Sequence, residues 1–172
     1  MSQPIRTVLS SMTILCSLSV VAYTLPGGIE YKFENTSDNV YVMHGPVDMP
    51  STSNNGFMNN PGIIVGDTGV IVVDPGSSYY SGKEIIKDIK EITTKPIVAI
   101  FNTHVHGDHW LGNHAFKEVN PELNIYAHAE MIKQAGTGGE GGRWAELLIK
   151  YTEGLTEKTT PIIPNIEIKH LD

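Results

Sequence analysis

The sequence predicts an α/β domain in which a sheet is covered by other layers. Residues 62–65 and 70–73 are apolar, β-branched runs without alternation, a pattern typical of strands covered on both faces. An amphipathic helical pattern follows at 81–92, and a further apolar run comes at 97–101. A strand, a helix and a strand of these lengths form a βαβ-like unit, so the class is α/β.

Length, charge and cysteine content restrict the possibilities further. A chain of 172 residues is sufficient for one domain with a sizeable core. The formal net charge is -7 and no basic run occurs, which argues against nucleic acid or an anionic membrane as a partner. The partner that we expect is a small-molecule substrate. Cys16 is the only cysteine, so neither an intramolecular disulfide nor a thiolate metal cage is possible.

The N-terminus has the pattern of a secretory signal peptide. Arg6 precedes a short uncharged apolar stretch at 8–22, and the small pair Val20 and Ala22 favours cleavage after Ala22. The stretch is short for a membrane span. We therefore expect a signal peptide at 1–22, a mature domain at 23–172 and a secreted or periplasmic protein.

The remaining elements follow in chain order. Residues 30–34 and 40–43 are β-type runs separated by a turn composition at 35–39. Residues 45–60 form a long connection that is either a binding lid or a mobile surface loop. Gly66–Gly69 joins the two apolar runs as a hairpin loop.

The first helix is predicted to begin at Ser81, because Ser81 and Glu84 have the spacing of a capping box. After the 97–101 strand, the pattern predicts a helix from 109 to 117, a strand at 124–127, a helix at 128–135 ended by Gly136, a glycine-rich loop at 137–142 and a strand at 166–170. Trp144, Leu147, Leu148 and Tyr151 have helical spacing and are predicted to form a core face.

A cluster of potential metal ligands follows the 97–101 strand directly. His104 and His106 are two apart on an extended segment and point the same way, so they can bind one ion together. Gly107 allows a turn, after which Asp108 and His109 can serve a second ion nearby. Imidazole and carboxylate without thiolate suit zinc first, with iron or manganese less favoured.

The run at 104–109, His-Val-His-Gly-Asp-His, resembles the HxHxDH signature of the metallo-β-lactamase superfamily. Ile71–Gly76 resembles the family strand that ends in an aspartate beneath the metals, and the residues flanking the cluster are also similar. The resemblance implies an αββα sandwich and covers the chain from about Tyr31 onward. It also implies that only the N-terminal part is present and that the domain is incomplete at its C-terminus, because the family takes its further ligands from its second half.

The resemblance also implies roles for individual residues. His104 and His106 would bind the first metal, and Asp108 and His109 the second. Asp108 would in addition act in catalysis, by orienting the attacking water and handling a proton, while Asp74 would support the metal loop from behind the ligands.

The function expected from these features is an exported zinc-dependent hydrolase, with one or two Zn2+ ions and an ester, thioester or lactam carbonyl as its target. Two alternatives stay open: an iron-dependent sulfur dioxygenase of the same fold, and a non-catalytic metal-binding remnant. The sequence leaves the substrate and the oligomeric state open.

Overall fold

The computed structural model describes residues 31–169 of the chain. Within that range the chain forms seven strands and four helices, with the first four strands preceding the first helix. The strands are β1 (Phe33–Ser37), β2 (Val40–Met43), β3 (Gly62–Val65), β4 (Val70–Val73), β5 (Ile97–Phe101), β6 (Asn124–His128) and β7 (Ile166–Ile168). The helices are α1 (Tyr79–Ile92), α2 (Asn113–Val119), α3 (Ala129–Ala135) and α4 (Glu140–Tyr151), and a single 3-10 turn lies at Gly107–His109.

The seven described strands form one mixed sheet in sequence order, from β1 to β7. Neighbouring strands from β1 to β4 run antiparallel, and those from β4 to β7 run parallel. The hairpin β3–β4 and the β4–α1–β5 unit are both as predicted, and the α/β class is confirmed.

One face of the sheet is fully buried. Ile63, Val72, Ile100 and Ile125 are paired in a row across β3 to β6 and each is 0% exposed. They belong to one apolar cluster with the buried residues of α1 and α2, so these two helices cover this face. Burial of the row against the helices supplies the main apolar stabilisation of the fold.

The opposite face is less covered, and the prediction that β3 and β4 are covered on both faces is wrong for the described residues. Ile64 is 41% exposed, and its paired neighbour Ile71 is half-buried. On the next row, Phe101 and Tyr126 are also half-buried and stack on each other with ring centroids 4.9 Å apart. The apolar composition of both faces was recognised correctly, but within the described part of the chain the helices pack on one of them.

The first hairpin differs from its prediction by several residues. β1 starts at Phe33 and extends through Ser37, so most of the predicted turn is strand. The Asn35 side chain donates to the carbonyls of Ser37 and Val40, and the register shifts between Asn35 and Ser37. Asn39 has φ 61, a left-handed conformation that asparagine tolerates, which allows the chain to reverse within two residues.

Helix α1 begins earlier than predicted. Its N-cap is Ser78, whose side chain accepts from the Ser81 backbone N–H, while Ser78 N–H donates to the Ser81 hydroxyl. Ser81 is thus the N3 residue of a capping box whose N-cap is Ser78, and the predicted Ser81–Glu84 box is wrong. The earlier start lets Tyr79 enter the core, where it is 6% exposed.

Later boundaries were also displaced. The helix predicted from 109 begins only at Asn113, after the 3-10 turn, and α4 begins at Glu140 inside the predicted glycine-rich loop. A Cβ at Gly141 would lie 2.7 Å from the Ala135 carbonyl oxygen, so glycine lets this helix approach α3 closely. Tyr151, predicted to be in the core face, is 47% exposed.

The later part of the long connection at 45–60 packs against the domain. Phe57 is 3% exposed, belongs to the core cluster and contacts Tyr31, with ring centroids 4.8 Å apart. Asn54 is buried and organises the loop through bonds to the backbone of Met49, Ser51 and Gly56.

The predicted signal peptide at 1–22 lies outside the described residues. Among residues 31–169, no helix combines the length and the apolar character that a membrane crossing requires.

Candidate metal centre

The candidate centre lies at the carboxyl edge of the parallel strands. Val73 at the end of β4 is paired with Phe101 at the end of β5, so the segments that follow them emerge side by side. Asp74 follows β4 at once, and the cluster from His104 to His109 follows β5. Strand polarity therefore brings the ligand-bearing segments together, as the βαβ-like unit predicts.

Asp74 anchors the loop that carries the histidines. Its carboxylate accepts from the Thr103 backbone N–H at 2.8 Å, from the Thr103 hydroxyl at 2.7 Å and from Nδ1 of His109 at 2.8 Å. Asp74 is 6% exposed, and its carbonyl accepts from the Asn59 side chain at 3.0 Å. These contacts are those that a supporting residue needs, although the metal roles themselves stay predictions.

The three imidazoles of the cluster lie in contact. The ring centroids of His104 and His106 are 4.8 Å apart, and those of His104 and His109 are 4.1 Å apart. Asp108 Oδ2 lies 3.0 Å from Nε2 of His109. All four predicted ligands are thus gathered at one place.

The tightest donor set in the described residues differs from the predicted grouping. One ligand atom from each of Asp74, His104 and His109 lies within 4.8 Å of the other two. Ligands at about 2.0–2.2 Å from a tetrahedral zinc are roughly 3.4 Å from each other, so donor atoms of this set would have to approach by up to about 1.4 Å to enclose an ion. Nitrogen and carboxylate donors fit zinc or iron. This set includes Asp74, which was predicted to support the loop, in place of the predicted ligands His106 and Asp108.

The local charges hold His109 in its protonated form when no ion is bound. Burial alone would lower the pKa of His109, but its hydrogen bonds to Asp108 and Asp74 outweigh burial and raise the pKa to about 9. The pKa of His104 is lowered by burial and by the charges of His109 and His106. Burial opposes ionisation of Asp108, yet the bond to His109 holds its pKa below the ordinary value.

Helix α4 forms a wall of the centre. A Cβ at Gly107 would lie 2.6 Å from Cβ of Trp144, so the turn between the ligands can approach α4 only because residue 107 is glycine. The Trp144 ring lies 5.3 Å from the His106 ring. Sequence reasoning treated Trp144 as core packing and missed this contact, which no local pattern indicates.

Buried polar residues hold the segment after the ligands. Asn113 is 0% exposed and donates to the side-chain oxygen of Asn102 at 2.8 Å and to the Ile162 carbonyl at 3.0 Å. Trp110, also 0% exposed, donates from its indole to the Val105 carbonyl at 2.9 Å. From sequence, this flanking segment was predicted only to resemble the family, with no role for its residues.

An α/β domain that gathers three histidines and two aspartates beyond its parallel strands is a candidate metal-binding domain. The family model of the metallo-beta-lactamase superfamily matches residues 54–171, well over half of the chain. The chain belongs to this superfamily, a family of hydrolase-like proteins, and the predicted family and fold class are confirmed.

Two curated proteins illustrate the relationship. The chain is 35% identical over 75 residues to a linear primary-alkylsulfatase of Pseudomonas sp. (strain ATCC 19151), an alignment that spans 41% of this chain and 14% of that protein. It is 52% identical over 46 residues to a probable metallo-hydrolase of Streptococcus pyogenes serotype M6, across 27% of this chain and 18% of that protein. The matches therefore cover less than a fifth of either relative.

Solved structures show the same fold. The metallo-β-lactamase FIM-1 from Pseudomonas aeruginosa, in its mono-zinc form, has a TM-score of 0.55 and 21% identity, over 67% of this chain and 50% of that one. A metallo-β-lactamase from Erythrobacter litoralis, solved with β-mercaptoethanol in its active site, has a TM-score of 0.51 and 19% identity, over 64% and 46%. At these identities the likeness concerns the fold alone.

Proposed function

We propose that this chain carries the metal-binding part of an exported, zinc-dependent hydrolase that acts on a small molecule with an ester, thioester or lactam carbonyl. The observation that carries the proposal is the gathering of His104, His106, Asp108 and His109 beyond β5, with Asp74 beneath them. Packing these groups together without a cation would concentrate polar side chains with no benefit to the core.

The clustered residues have different roles in this proposal. His104 and His106 hold the first ion, and Asp108 and His109 hold the second where two are bound. Zinc, when bound, supplies Lewis acidity and lowers the pKa of a water ligand to about 7. Asp108 stays ionised at neutral pH, since its pKa is held low, so its carboxylate can orient a water and accept a proton.

Asp74 acts through the loop. By accepting from Thr103 and His109 together, it fixes the direction in which the imidazoles point. Because one relative is a linear primary-alkylsulfatase, sulfate esters are also tested as substrates.

Metal content tests the proposal directly. The 172-residue chain is purified beside the double variant His104→Ala/His106→Ala and the control His44→Ala, which removes an exposed histidine outside the cluster. We expect about one or two zinc per chain by elemental analysis, lost in the first variant and retained in the control. Zinc retained after loss of His104 and His106, or absent from a folded parent chain, contradicts the proposal.

The same measurement separates the two metal chemistries. Iron in place of zinc, bound with equal dependence on His104 and His106, favours the dioxygenase alternative, because the donor set accommodates either ion. Hydrolysis of carboxylic ester, thioester, lactam and sulfate ester probes by the zinc-loaded chain then ranks the substrate classes. Equal rates for the parent and the double variant would rule out this centre as the source of any hydrolysis.

A further inference from the structure

Asn59, at the end of the long connection before β3, has a buried amide with one hydrogen-bonded partner among the described residues. The side chain is 2% exposed, and its Nδ2 donates to the Asp74 carbonyl at 3.0 Å. Its Oδ1 is also buried and accepts no hydrogen bond from any described residue. A buried acceptor without a partner costs free energy, so this amide brings little net stability to the fold. The contact with Asp74 is what an apolar side chain of the same size could not supply.

The base of the long connection holds Asn59 in place. The Met43 N–H donates to the Pro61 carbonyl at 2.9 Å, so the segments that enter and leave the connection run side by side. A Cβ at Gly45 would collide with the Asn59 carbonyl oxygen, so the close approach of the two segments requires glycine there. The amide of Asn59 therefore reaches Asp74 from a closed and packed base.

The backbone of Asp74 is held on both sides in an unfavourable conformation. Its φ is 52, in the left-handed region that residues other than glycine adopt at a cost. Its N–H donates to the Phe101 carbonyl at 2.9 Å, and its carbonyl accepts from the Gly76 N–H at 2.8 Å as well as from Asn59. These bonds fix both peptide planes of Asp74 and thereby the direction of its carboxylate. Of the three bonds, only the one from Asn59 comes from a side chain.

We propose that Asn59 is a positioning residue of the candidate metal centre, which directs the Asp74 carboxylate toward Thr103 and His109 and thereby orients the imidazoles. The inference rests on the proposed function for its effect on metal binding, whereas its effect on Asp74 applies to the metal-free chain as well. Because the Asp74 carbonyl keeps the Gly76 N–H, loss of the amide should change the direction of the carboxylate more than the stability of the fold.

Hydrogen exchange of two neighbouring amides, measured by NMR on the metal-free chain, tests the proposal. The Thr103 N–H donates to the Asp74 carboxylate at 2.8 Å. The Asn102 N–H donates instead to the Tyr126 carbonyl at 2.9 Å and is an internal control. A change in the ratio of their protection factors reports the direction of the carboxylate, since general loosening of the chain affects both amides.

Three variants separate a positioning role from a structural one. Asn59→Leu has the same branching without a donor, and it should lower the protection of Thr103 about fivefold relative to Asn102, with an unchanged or higher urea midpoint. Asn59→Ala removes the amide without a new contact and should lower the ratio similarly, so a poor fit of leucine does not decide the result. Asn60→Leu, the same change at an exposed neighbour, should leave the ratio unchanged.

Zinc affinity, measured by competition with a chromophoric chelator, tests the effect on the centre. Asn59→Leu should bind zinc about tenfold more weakly than the parent, and Asn60→Leu should bind it as the parent does. A folded parent chain without zinc contradicts the proposed function, and the exchange ratio then decides the role of Asn59 by itself. An unchanged ratio in both Asn59 variants, equal loss of protection at Thr103 and Asn102, or zinc bound equally tightly by the parent and Asn59→Leu overturns the inference.

Discussion

Replacement of Asp74 by alanine gives a sharp test of how the metal loop is held. The substitution removes the acceptor for two donors of Thr103 and for Nδ1 of His109, with partners now at 2.7–2.8 Å. Thr103 is exposed, so water compensates in part, and each lost bond costs about 1 kcal/mol rather than the full value for a buried charged pair. Alanine at the left-handed φ of 52 adds about 1 kcal/mol. The free energy of unfolding should fall by about 3–4 kcal/mol.

Urea denaturation of the metal-free chain, followed by circular dichroism, measures this loss. Asp74→Asn should lose less, because asparagine tolerates the backbone conformation and its carbonyl can still accept from the Thr103 N–H. Asp67→Ala serves as the control, since it removes one exposed carboxylate from the β3–β4 loop. If Asp74→Ala and Asp67→Ala destabilise equally, Asp74 does not anchor the loop and the reasoning fails.

Other substitutions probe the surrounding structure. Gly112→Ala should lower the free energy of unfolding by about 2–3 kcal/mol, because the new Cβ collides with the Pro75 carbonyl oxygen, whereas Gly142→Ala, with no atom within 4 Å, should be neutral or stabilising in the same urea titration. Asn113→Ala leaves the buried Asn102 amide without its partner and should cost about 2–3 kcal/mol, seen as a lower thermal midpoint; an unchanged midpoint would contradict the buried network. Burial, with a smaller effect of the Lys158 charge, lowers the pKa of His114, so the unfolded chain binds its proton more readily and stability is lost as pH falls below about 6.5. His114→Gln should therefore make stability less dependent on pH between 7.5 and 5.5, and a variant with the parent slope would show that His114 makes no such contribution.

Much of the centre could be predicted because its determinants are local. The apolar runs of β4 and β5 and the helix between them fix strand polarity, and polarity alone places Asp74 beside the His104–His109 segment. The family likeness predicted that Asp74 supports the metal loop, and therefore that its carboxylate contacts that loop. The number of these contacts could not be predicted, because nothing in the sequence distinguishes Thr103 from any other surface threonine.

The errors arose where packing between distant segments overrides local pattern. Gly141 lies in the first turn of α4, where Ala135 and Trp110 leave no room for a side chain, so its glycine reflects close packing of the helix and not the loop that the composition of 137–142 predicts. Ser78 is the N-cap of α1 because the earlier start of the helix buries Tyr79. The Tyr79 hydroxyl then donates a hydrogen bond to the Glu118 carboxylate at 2.9 Å. Trp144 was recognised as apolar and interior, but its contact with His106 depends on how α4 is placed against the metal loop.

The strand order of the sheet bears on how the chain folds. Each described strand is hydrogen-bonded to the strand that precedes it in sequence, from β1 through β7. During synthesis from the N-terminus, each new described strand can therefore pair with a strand that has already been made. None of these strands depends for its first pairing on a strand that comes later in the sequence. Asp74 precedes Thr103 by 29 residues, so the anchor of the metal loop is synthesised before the loop itself. Pairing of β5 with β4 then brings Thr103 and His109 to the Asp74 carboxylate, so the last step of this strand addition also fixes the direction of the imidazoles.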